Sequence, residues 1–365
     1  MKRVPALALS GLLAATLASC TKRLDDARSN PQPMTGDRAA VAEDLGPSSS
    51  REFPLEAPLS RVPFLMAHDA ATTYRHDYSL PAKIVATQVQ TQQEGGFTSL
   101  LNCGVRAFDV RPCYTHAGQL YMHHGDATIK RPLADALREI IDWAGSHRES
   151  LIIAYVSHCG GGVGCTGGPA TSNQECESAT AELLRELGIT MLHSVDISYG
   201  EALERGRLSN GGLVLALEQV RENYDESIQY CAGLKVKASA FADLFAYMDR
   251  IAALKPSGSA LVITQAHWQD PDTTLIDGCA ESVLRMESAS KINSEIATRI
   301  SSGRWPYINL LEVDNACDQR PGTEGRAGGP FRPAAFERVE APIVGADRRL
   351  GAQPGRETIR AAATA

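Results

Sequence analysis

The sequence predicts an α/β fold, a TIM-type (β/α) barrel that is irregular or incomplete. Short, nearly continuous apolar runs recur through the middle of the chain, as expected for strands that are buried on both faces of a parallel sheet. Amphipathic helical patterns separate several of these runs, and such alternation favours parallel strands. Seven or eight strands in about 260 residues fit a barrel. A doubly wound open sheet is the alternative, disfavoured because no G-x-G-x-x-G motif follows a strand.

The predicted strands are seven apolar runs, and the predicted helices are amphipathic stretches between them. The strands cover 62–67, 104–110, 119–123, 151–157, 213–218, 260–266 and 307–313. Helical spacing is seen at Leu133, Leu137, Ile140, Ile141 and Ala144, at Leu183, Leu184 and Leu187, and across 240–254 and 280–302. Each helix is expected to cover the sheet with its apolar side.

The first residues have the pattern of an export signal. Lys2 and Arg3 precede an apolar run that ends in small residues, so residues 1–19 are predicted to be a secretory signal peptide. The run Leu17-Ala18-Ser19-Cys20 is similar to the lipobox of bacterial lipoproteins, in which the Cys thiol carries lipid. An ordinary signal followed by a coincidental Cys20 is the alternative.

Composition divides the remaining chain into three parts. Residues 20–57 are polar and rich in Pro, Ser and Asp, and are predicted to be a lipid-anchored flexible tether. Residues 58–320 form the predicted barrel, and residues 321–365 a weakly structured tail rich in Arg, Gly, Pro and Ala. Since Thr21 and not Asp follows the lipidated Cys, the protein is predicted to be exported to the bacterial cell envelope and lipid-anchored at the outer membrane or cell surface.

The charge of the chain argues against nucleic acid as a partner. The formal net charge is −7 and becomes −9 when the signal peptide takes Lys2 and Arg3 with it. A net acidic protein is poorly suited to bind nucleic acid or to dock electrostatically on anionic lipid. The predicted contact with a membrane is therefore made through lipid on Cys20.

Eight cysteines remain after Cys20, and an even number in an exported protein predicts disulfides. No C-x-x-C pair is present, which disfavours a zinc ribbon. Cys159, Cys165 and Cys176 bracket a Gly-rich segment, and at least one of them is predicted to be disulfide-bonded. The sequence leaves the pairing open.

Polar residues cluster where the predicted strands end. They are His68 and Asp69, Asp109 and Arg111, His123 and His124, and Glu312 and Asp314. In a barrel these strand ends converge on one rim, where active sites lie. Two imidazoles can act as acid and base near neutral pH, and a guanidinium can hold a phosphoryl group. The combination suits phosphodiester cleavage, whereas an ion pair of Asp109 with Arg111 or Arg106 is a purely structural alternative.

Three ordered motifs resemble a known family. They are Phe64-Leu65-Met66-Ala67-His68-Asp69-Ala70, Gly104-Val105-Arg106-Ala107-Phe108-Asp109-Val110-Arg111 and Leu120-Tyr121-Met122-His123-His124-Gly125. In this order they resemble the HDS, GxRxFDxR and HHG motifs of the X region of phosphatidylinositol-specific phospholipase C. Glu149-Ser150-Leu151-Ile152-Ile153 resembles the segment that follows in that family. The resemblance covers residues 62–157 and implies an incomplete TIM barrel.

The resemblance also implies a role for each matching residue. His68 would be the general base that deprotonates a substrate hydroxyl next to the phosphorus, and His124 the general acid that protonates the leaving alkoxide. Arg111 would hold the phosphate and offset charge in the transition state. Asp69 would support the acid, and Asp314 would orient His68.

Arg111 bears on the question of a metal. Calcium-dependent members of the family carry a carboxylate near this position, whereas members with Arg resemble the metal-independent bacterial enzymes. The resemblance therefore implies that no cofactor is needed. Calcium is the alternative, with Asp109 and Glu312 as the oxygen ligands.

The chain departs from the family where the family binds inositol. Family members have a Lys after the strand aligned to 151–157 and an Arg after the strand aligned to 213–218, and neither is present here. The predicted partner is therefore a phosphodiester or phospholipid whose headgroup stays open. Segment 70–103 adds material near the rim, and its glutamines, Gln88, Gln90, Gln92 and Gln93, are expected on the solvated face of a helix.

Two other functions remain possible from the sequence. A metal-dependent glycerophosphodiester phosphodiesterase shares the barrel and a similar His pair, but that family prefers HRG and ExD where this chain has HDA and FDVR. A non-catalytic, lipid-anchored binding protein built on a decayed barrel is the third possibility. The presence of His68, Arg111 and His124 together argues against decay.

Overall fold

A computed structural model describes ten stretches of the chain: 53–78, 89–115, 117–125, 127–160, 173–223, 228–232, 235–254, 260–269, 282–305 and 307–318. The predicted signal peptide, Cys20, most of the predicted tether and the predicted tail lie outside these residues. Within them, no helix combines the length and the apolar character needed to cross a bilayer.

Thirteen strands and seven α-helices are found in the described residues. The strands are β1 (Phe64–Ala67), β2 (Ala107–Val110), β3 (Pro112–Tyr114), β4 (Leu120–His124), β5 (Ala127–Ile129), β6 (Leu151–Val156), β7 (Thr190–Leu192), β8 (Leu213–Leu217), β9 (Val220–Arg221), β10 (Cys231–Ala232), β11 (Lys235–Val236), β12 (Leu261–Gln265) and β13 (Leu310–Val313). The helices are α1 (Gly96–Asn102), α2 (Leu133–Ser146), α3 (Asn173–Glu186), α4 (Tyr199–Arg205), α5 (Ala240–Ala252), α6 (Val283–Ser290) and α7 (Ile292–Ser301).

Eight parallel strands form one curled sheet in the order β7-β8-β6-β2-β1-β13-β12-β9. Only Glu218 and Gln219 separate β8 from β9, although β9 pairs with β12 at the other end of the sheet. Three peptide units span at most about 11 Å, so the sheet must curl until these two regions are close. No ladder joins the edge strands β7 and β9 within the described residues. The predicted incomplete barrel is confirmed.

Strand alternation gives the barrel an apolar interior and an apolar outer layer. Along β6, Leu151, Ile153 and Tyr155 belong to the interior cluster, whereas Ile152 and Ala154 pack outward against the helices. This burial on both faces explains why the strands are nearly continuous apolar runs. The predicted apolar side of α2 lies in the outer layer, with Leu133, Leu137, Ile140 and Ala144 all buried.

The predicted strand 119–123 exists as β4, but it is not a barrel strand. It is the centre of a three-stranded antiparallel sheet, β3-β4-β5. A parallel neighbour of β2 would need a crossover of a dozen or more residues. The chain instead turns back within a few residues, where the Thr115 amide donates to the Gln119 carbonyl over 2.9 Å.

Two predictions about helices also need correction. The stretch 280–302 contains two helices, α6 and α7, because Lys291 between them has φ +60° in the left-handed region. The glutamines of segment 70–103 do not share a solvated helix face. Gln90 and Gln92 are buried and lie in irregular backbone just before α1. Gln88 lies outside the described residues.

The described part of the domain begins before residue 58. Phe53 contacts Tyr199 at a ring-centroid distance of 6.0 Å, and the Gly200 amide donates to the Leu55 carbonyl over 2.8 Å. Residues 53–57, which the sequence places in the tether, therefore pack on α4.

Disulfides fasten loops at the carboxyl end of the sheet. Cys103–Cys317 joins the end of α1 to the segment after β13, and Cys159–Cys176 joins the loop after β6 to α3. Cys113 and Cys231 are also disulfide-bonded. The second bond confirms that the Gly-rich segment is bracketed by a disulfide.

Candidate active site

Alternation along the strands directs one ring of polar side chains to the mouth of the barrel. Every side chain of this ring belongs to a residue just beyond the end of a barrel strand. Two residues earlier in the chain, alternation directs a side chain into the barrel, as for Met66 before His68 and Tyr155 before Ser157. The ring consists of His68, Arg111, Ser157, His267 and Asp314. The carboxyl ends of parallel strands thus place these groups on one rim, as the sequence predicts.

Asp69 enters the mouth because its backbone leaves the strand conformation. It has φ 43° and ψ 48° in the left-handed region and precedes a short 3-10 helix, Ala70–Thr73. Such a conformation costs a non-glycine residue about 1–3 kcal/mol and is often retained at functional sites. The Asp69 amide donates to Asp109 Oδ2 over 3.1 Å, which fixes the turn.

Segment 89–93 holds the backbone of this turn. Gln92 Nε2 donates to the carbonyls of His68 and Val313 over 3.0 and 2.8 Å, and its Oε1 accepts from the Ala316 amide. Thr91 Oγ1 donates to the His68 carbonyl over 3.0 Å. The glutamine expected in solvent therefore joins the ends of β1 and β13.

Two imidazoles and a guanidinium surround the carboxylate of Asp69. Nε2 of His68 and Nε2 of His124 each lie 3.2 Å from Asp69 Oδ2. Arg111 Nη1 lies 2.7 Å from Asp69 Oδ1, and its Nη2 lies 2.8 Å from Asp109 Oδ2. We call the three cationic groups, His68, His124 and Arg111, the anion cradle. Here a carboxylate occupies it, a group with the single negative charge of a phosphodiester.

Asp314 and Glu312 line the side of the mouth next to His68. Asp314 Oδ1 is 2.8 Å from His68 Nδ1, so this carboxylate fixes the ring and leaves Nε2 facing the cradle. Glu312 lies two residues earlier on the same face of β13 and is buried. The sequence predicts the shared face, and the contact distinguishes Asp314 as the partner of His68.

β4 delivers His124 from outside the barrel sheet. Its neighbour His123 faces away from the cradle, with Nδ1 2.9 Å from the Gly125 carbonyl and Nε2 2.8 Å from the His158 carbonyl. His123 thus ties the hairpin to the loop after β6, and only His124 reaches Asp69. Neighbouring residues of a strand face opposite sides, so His123 makes structural contacts on one side and His124 reaches the cradle on the other, as alternation predicts.

His267 and Ser157 also line the mouth, although the sequence does not mark them as site residues. His267 follows β12, is buried, and stacks on His68 with ring centroids 4.0 Å apart and planes 12° apart. Ser157 Oγ donates to Asp109 Oδ1 over 2.9 Å. Each follows by two residues a position whose side chain alternation directs into the barrel, as His68 follows Met66, and that spacing is the signal that could have found them.

The donor atoms near the mouth do not fit calcium. Two groups have their potential ligand atoms within 4.8 Å of one another: His68, His267 and Asp314, and His68, Asp69 and Asp109. Calcium prefers six to eight oxygen ligands, whereas each group includes imidazole and neither includes Glu312. Asp109, predicted as a ligand, is already engaged by Arg111 and Ser157.

Burial and charge set the protonation of the cradle. Burial opposes the charge on Asp69, but Arg111, His124 and His68 outweigh it and hold its pKa well below the usual range. Burial also disfavours the charged form of His68, yet Asp69 and Asp314 raise its pKa to about 10. Burial, with Arg111 and His68, lowers the pKa of His124. In the unliganded site the proton therefore resides on His68, and His124 is neutral.

Comparison with known proteins places the fold. No protein-family model matches the chain, and no curated protein matches it. Solved structures do: a mutant of the phosphatidylinositol-specific phospholipase C from Staphylococcus aureus is similar over 81% of this chain and 97% of that chain, with 13% identity and a TM-score of 0.54. A pentafluoro-Phe form of the same enzyme matches over 80% and 96%, also with 13% identity and a TM-score of 0.54. The chain thus has the fold of these bacterial phospholipases C.

Proposed function

We propose that the protein is a phosphodiesterase of the phospholipase C type that uses a histidine pair as general base and general acid. One observation carries the proposal: His68 Nε2, His124 Nε2 and Arg111 Nη1 converge on a single carboxylate at 3.2, 3.2 and 2.7 Å. Groups that hold a carboxylate in this way suit an anionic phosphodiester, since the guanidinium stabilises the charge and the imidazoles transfer protons.

Each proton in the proposed reaction has a destination. His68 Nε2 takes the proton from a substrate hydroxyl next to the phosphorus, and that oxygen attacks the phosphorus. The bond from phosphorus to the leaving oxygen breaks, and His124 Nε2 donates its proton to that oxygen. The products are the released alcohol and a cyclic phosphate. Arg111 offsets negative charge on the phosphoryl oxygens. Asp314 holds the far nitrogen of His68, and Asp69 supports His124.

The proton that His68 carries in the unliganded site can serve the second step of the proposed reaction. A bound phosphodiester adds negative charge beside His124, which favours its protonated form. Opening of a cyclic phosphate by water requires the reverse proton flow, in which His124 accepts and His68 donates. The unliganded site is already protonated for that second step.

A phospholipid, or a phosphodiester derived from one, is the proposed substrate, and its headgroup stays open because the basic residues with which the family binds inositol are not present after the strands aligned to 151–157 and 213–218. Inside the barrel, the Tyr155 hydroxyl of β6 donates to Glu222, just after β9, over 2.7 Å.

The proposed location is the cell envelope, with Cys20 as the lipid attachment site. Disulfides at Cys103–Cys317 and Cys159–Cys176 support export, because such bonds persist in oxidising compartments. Metabolic labelling with radioactive palmitate is expected to mark the full chain and to be lost in Cys20→Ala. Label retained in that variant would contradict lipidation at this residue.

One assay tests the activity. The purified full chain is offered phosphatidylinositol, other phospholipids and glycerophosphodiesters, with and without EDTA, beside His68→Ala and His124→Ala. Cleavage that resists EDTA and falls about 10²–10⁴-fold in each variant supports the proposal. His147→Ala is the matched control, since His147 stacks on Trp143 at the end of α2, away from the cradle.

Two outcomes would favour the other functions. Activity on glycerophosphodiesters that EDTA abolishes would indicate a metal-dependent glycerophosphodiester phosphodiesterase. Failure to cleave any of these diesters, with ligand binding unchanged in both histidine variants, would indicate a binding protein.

A further inference from the structure

His267 is a buried histidine in the active-site mouth to which the proposed reaction assigns no step. Its exposed fraction is 1%, and its ring lies parallel to that of His68, with centroids 4.0 Å apart. A ring this close covers one face of His68 and limits the rotation of its side chain. The stack is the first sign that His267 acts on the base.

Two carboxylates of β13 meet His267 edge-on. Nε2 lies 3.4 Å from Glu312 Oε2. Nδ1 lies 3.4 Å from the carbonyl oxygen of Trp268 and 4.0 Å from Asp314 Oδ2, the oxygen that His68 does not contact. Glu312 is 3% exposed. Burial of a carboxylate without a partner is costly, so an imidazole beside it has an energetic role.

The charges around His68 come from every element that packs on it. Its own turn contributes Asp69, β2 contributes Asp109, and β13 with the residue after it contributes Glu312 and Asp314. The buried Glu287 of α6 also faces it, but burial raises the pKa of Glu287 well above the usual range and favours its uncharged form. Positively charged or titratable neighbours are Arg111 after β2, His124 on β4 and His267 after β12. Burial opposes the proton on His68, but Asp69, Asp314 and Glu312 all raise its pKa. A general base must lose that proton, so the base requires a group that takes up part of this negative charge.

We propose that His267 is a positioning residue for the general base: its ring holds the ring of His68 by stacking, and its Nε2 engages the carboxylate of Glu312. The inference rests on the proposed function for its effect on rate, although the contact itself does not depend on it. A hydrogen bond from His267 already lowers the pKa of Glu312 against the effect of burial, which is the direction expected when the two share charge. Without the nitrogens of His267, the charge of Glu312 would act on His68 and Arg111 only among these cationic groups, and its effect on His68 would increase.

His267→Phe separates the two parts of this role, because phenylalanine keeps a flat ring and removes both nitrogens. We expect kcat at pH 7 to fall about 10–100-fold with KM unchanged, a size typical of groups that orient a ligating or reacting histidine. The acid limb of the kcat/KM profile should move to higher pH, since a base with a raised pKa deprotonates later. Adding Glu312→Gln removes the charge that His267 offsets and should move the limb back.

Two companion variants make the result specific. His147→Phe is the matched control, because His147 stacks on Trp143 with centroids 3.6 Å apart and planes 3° apart. It should leave kcat and the pH profile unchanged. His267→Gln keeps a hydrogen-bond donor toward Glu312 and serves if the phenylalanine variant folds poorly. It should retain the position of the acid limb better than it retains kcat.

NMR titration of the histidine ring nitrogens in the unliganded full chain tests the contact without any substrate. We expect the His68 midpoint to rise in His267→Phe and to fall back in the double variant. An unchanged midpoint, or a loss confined to KM, would overturn the proposal. If the wild-type chain cleaves no diester while the midpoint moves as expected, the proposed function fails and the positioning contact stands.

Discussion

The two histidines of the anion cradle are held in different ways. We name the two sides after the proposed roles of their histidines. The base side comprises His68, His267, Glu312 and Asp314, which lie within or just after barrel strands. The acid side comprises His124 and the β3-β4-β5 sheet that carries it, whose β4-β5 part we call the hairpin. Nδ1 of His68 is fixed by Asp314 at 2.8 Å, whereas Nδ1 of His124 is buried with no hydrogen-bond partner among the described residues.

This difference in support indicates a division of labour. A ring fixed at both nitrogens and one face is pre-organised for a single proton transfer. His124, reached by a hairpin and oriented through one nitrogen, is less constrained. The base side should therefore respond to substitution mainly through its protonation and geometry, and the acid side mainly through the anchoring of its hairpin.

Asp314→Asn should have the largest effect, on the base side. The substitution removes the charge that holds the Nδ1 proton of His68, and loss of the comparable carboxylate in a hydrolytic triad costs about 10⁴-fold in kcat. Because Asp314 raises the pKa of His68, its loss should lower that pKa and move the acid limb of the kcat/KM profile to lower pH. This direction is opposite to that expected for His267→Phe. A pH profile that moves upward in Asp314→Asn would contradict the proposed charge arrangement.

Arg111→Lys should be next, because Arg111 serves both sides. Lysine keeps the charge but loses the fork that reaches Asp69 and Asp109 together. We expect kcat to fall on the order of 10²-fold with a smaller change in KM, as when one transition-state donor is removed. Arg138→Lys, on the outer surface of α2 in an ion pair with Asp135, is the matched control. Equal losses in both variants would mean that the fork has no special role.

Two of the disulfides allow the sides to be compared in stability and activity together. Cys103–Cys317 spans 214 residues and ends three residues after Asp314, whereas Cys159–Cys176 spans 17 residues beside the His158 carbonyl that holds His123. In the chain-entropy account their removal costs about 5 and about 3 kcal/mol of unfolding free energy. Urea unfolding of Cys→Ser pairs measures this order.

Their effects on activity should differ in kind. Loss of the longer disulfide should change the acid limb of the pH profile, through Asp314. Loss of the shorter one should lower kcat without moving that limb, since it loosens the hairpin. If both Cys→Ser double variants change the pH profile equally, the two sides do not differ in the way described.

Gln92→Met should have the smallest effect. The apolar side chain leaves the carbonyls of His68 and Val313 and the Ala316 amide without their partner, which costs about 1–3 kcal/mol of stability. Thermal unfolding measures the loss. Gln119→Met is the control, since Gln119 is exposed and contacts only nearby residues such as Tyr121. A stability loss as large in the control would show that the contacts of Gln92 contribute nothing particular.

The sequence predicts most of the cradle because its signal is local. His68 and Arg111 directly follow apolar runs whose parallel arrangement brings their ends together. Six of the eight barrel strands have four to six residues and are seen as such runs. The other two, β7 and β9, have three and two residues, carry no periodic pattern and cannot be found in this way.

The remaining residues depend on contacts between distant parts of the chain. Gln92 donates a hydrogen bond to the carbonyl of Val313, which is 221 residues away in the sequence. A prediction from local composition does not include this contact, so it placed Gln92 on a solvated face. His267 stands alone after its strand, without a motif around it. The error over 119–123 was avoidable, because the separation between β2 and β4 is too short for a parallel crossover.

The carboxylate of Asp69 makes the site selective by competition. It is tethered to the chain beside the groups that would otherwise capture any small anion, so its effective concentration in the cradle exceeds that of dissolved phosphate or sulfate. Inorganic anions must displace this carboxylate to bind, and they compete poorly with it. Under the proposed function, a diester gains access when contacts to its headgroup or acyl chains add to the attraction of its phosphate, and those contacts can then be used to raise kcat.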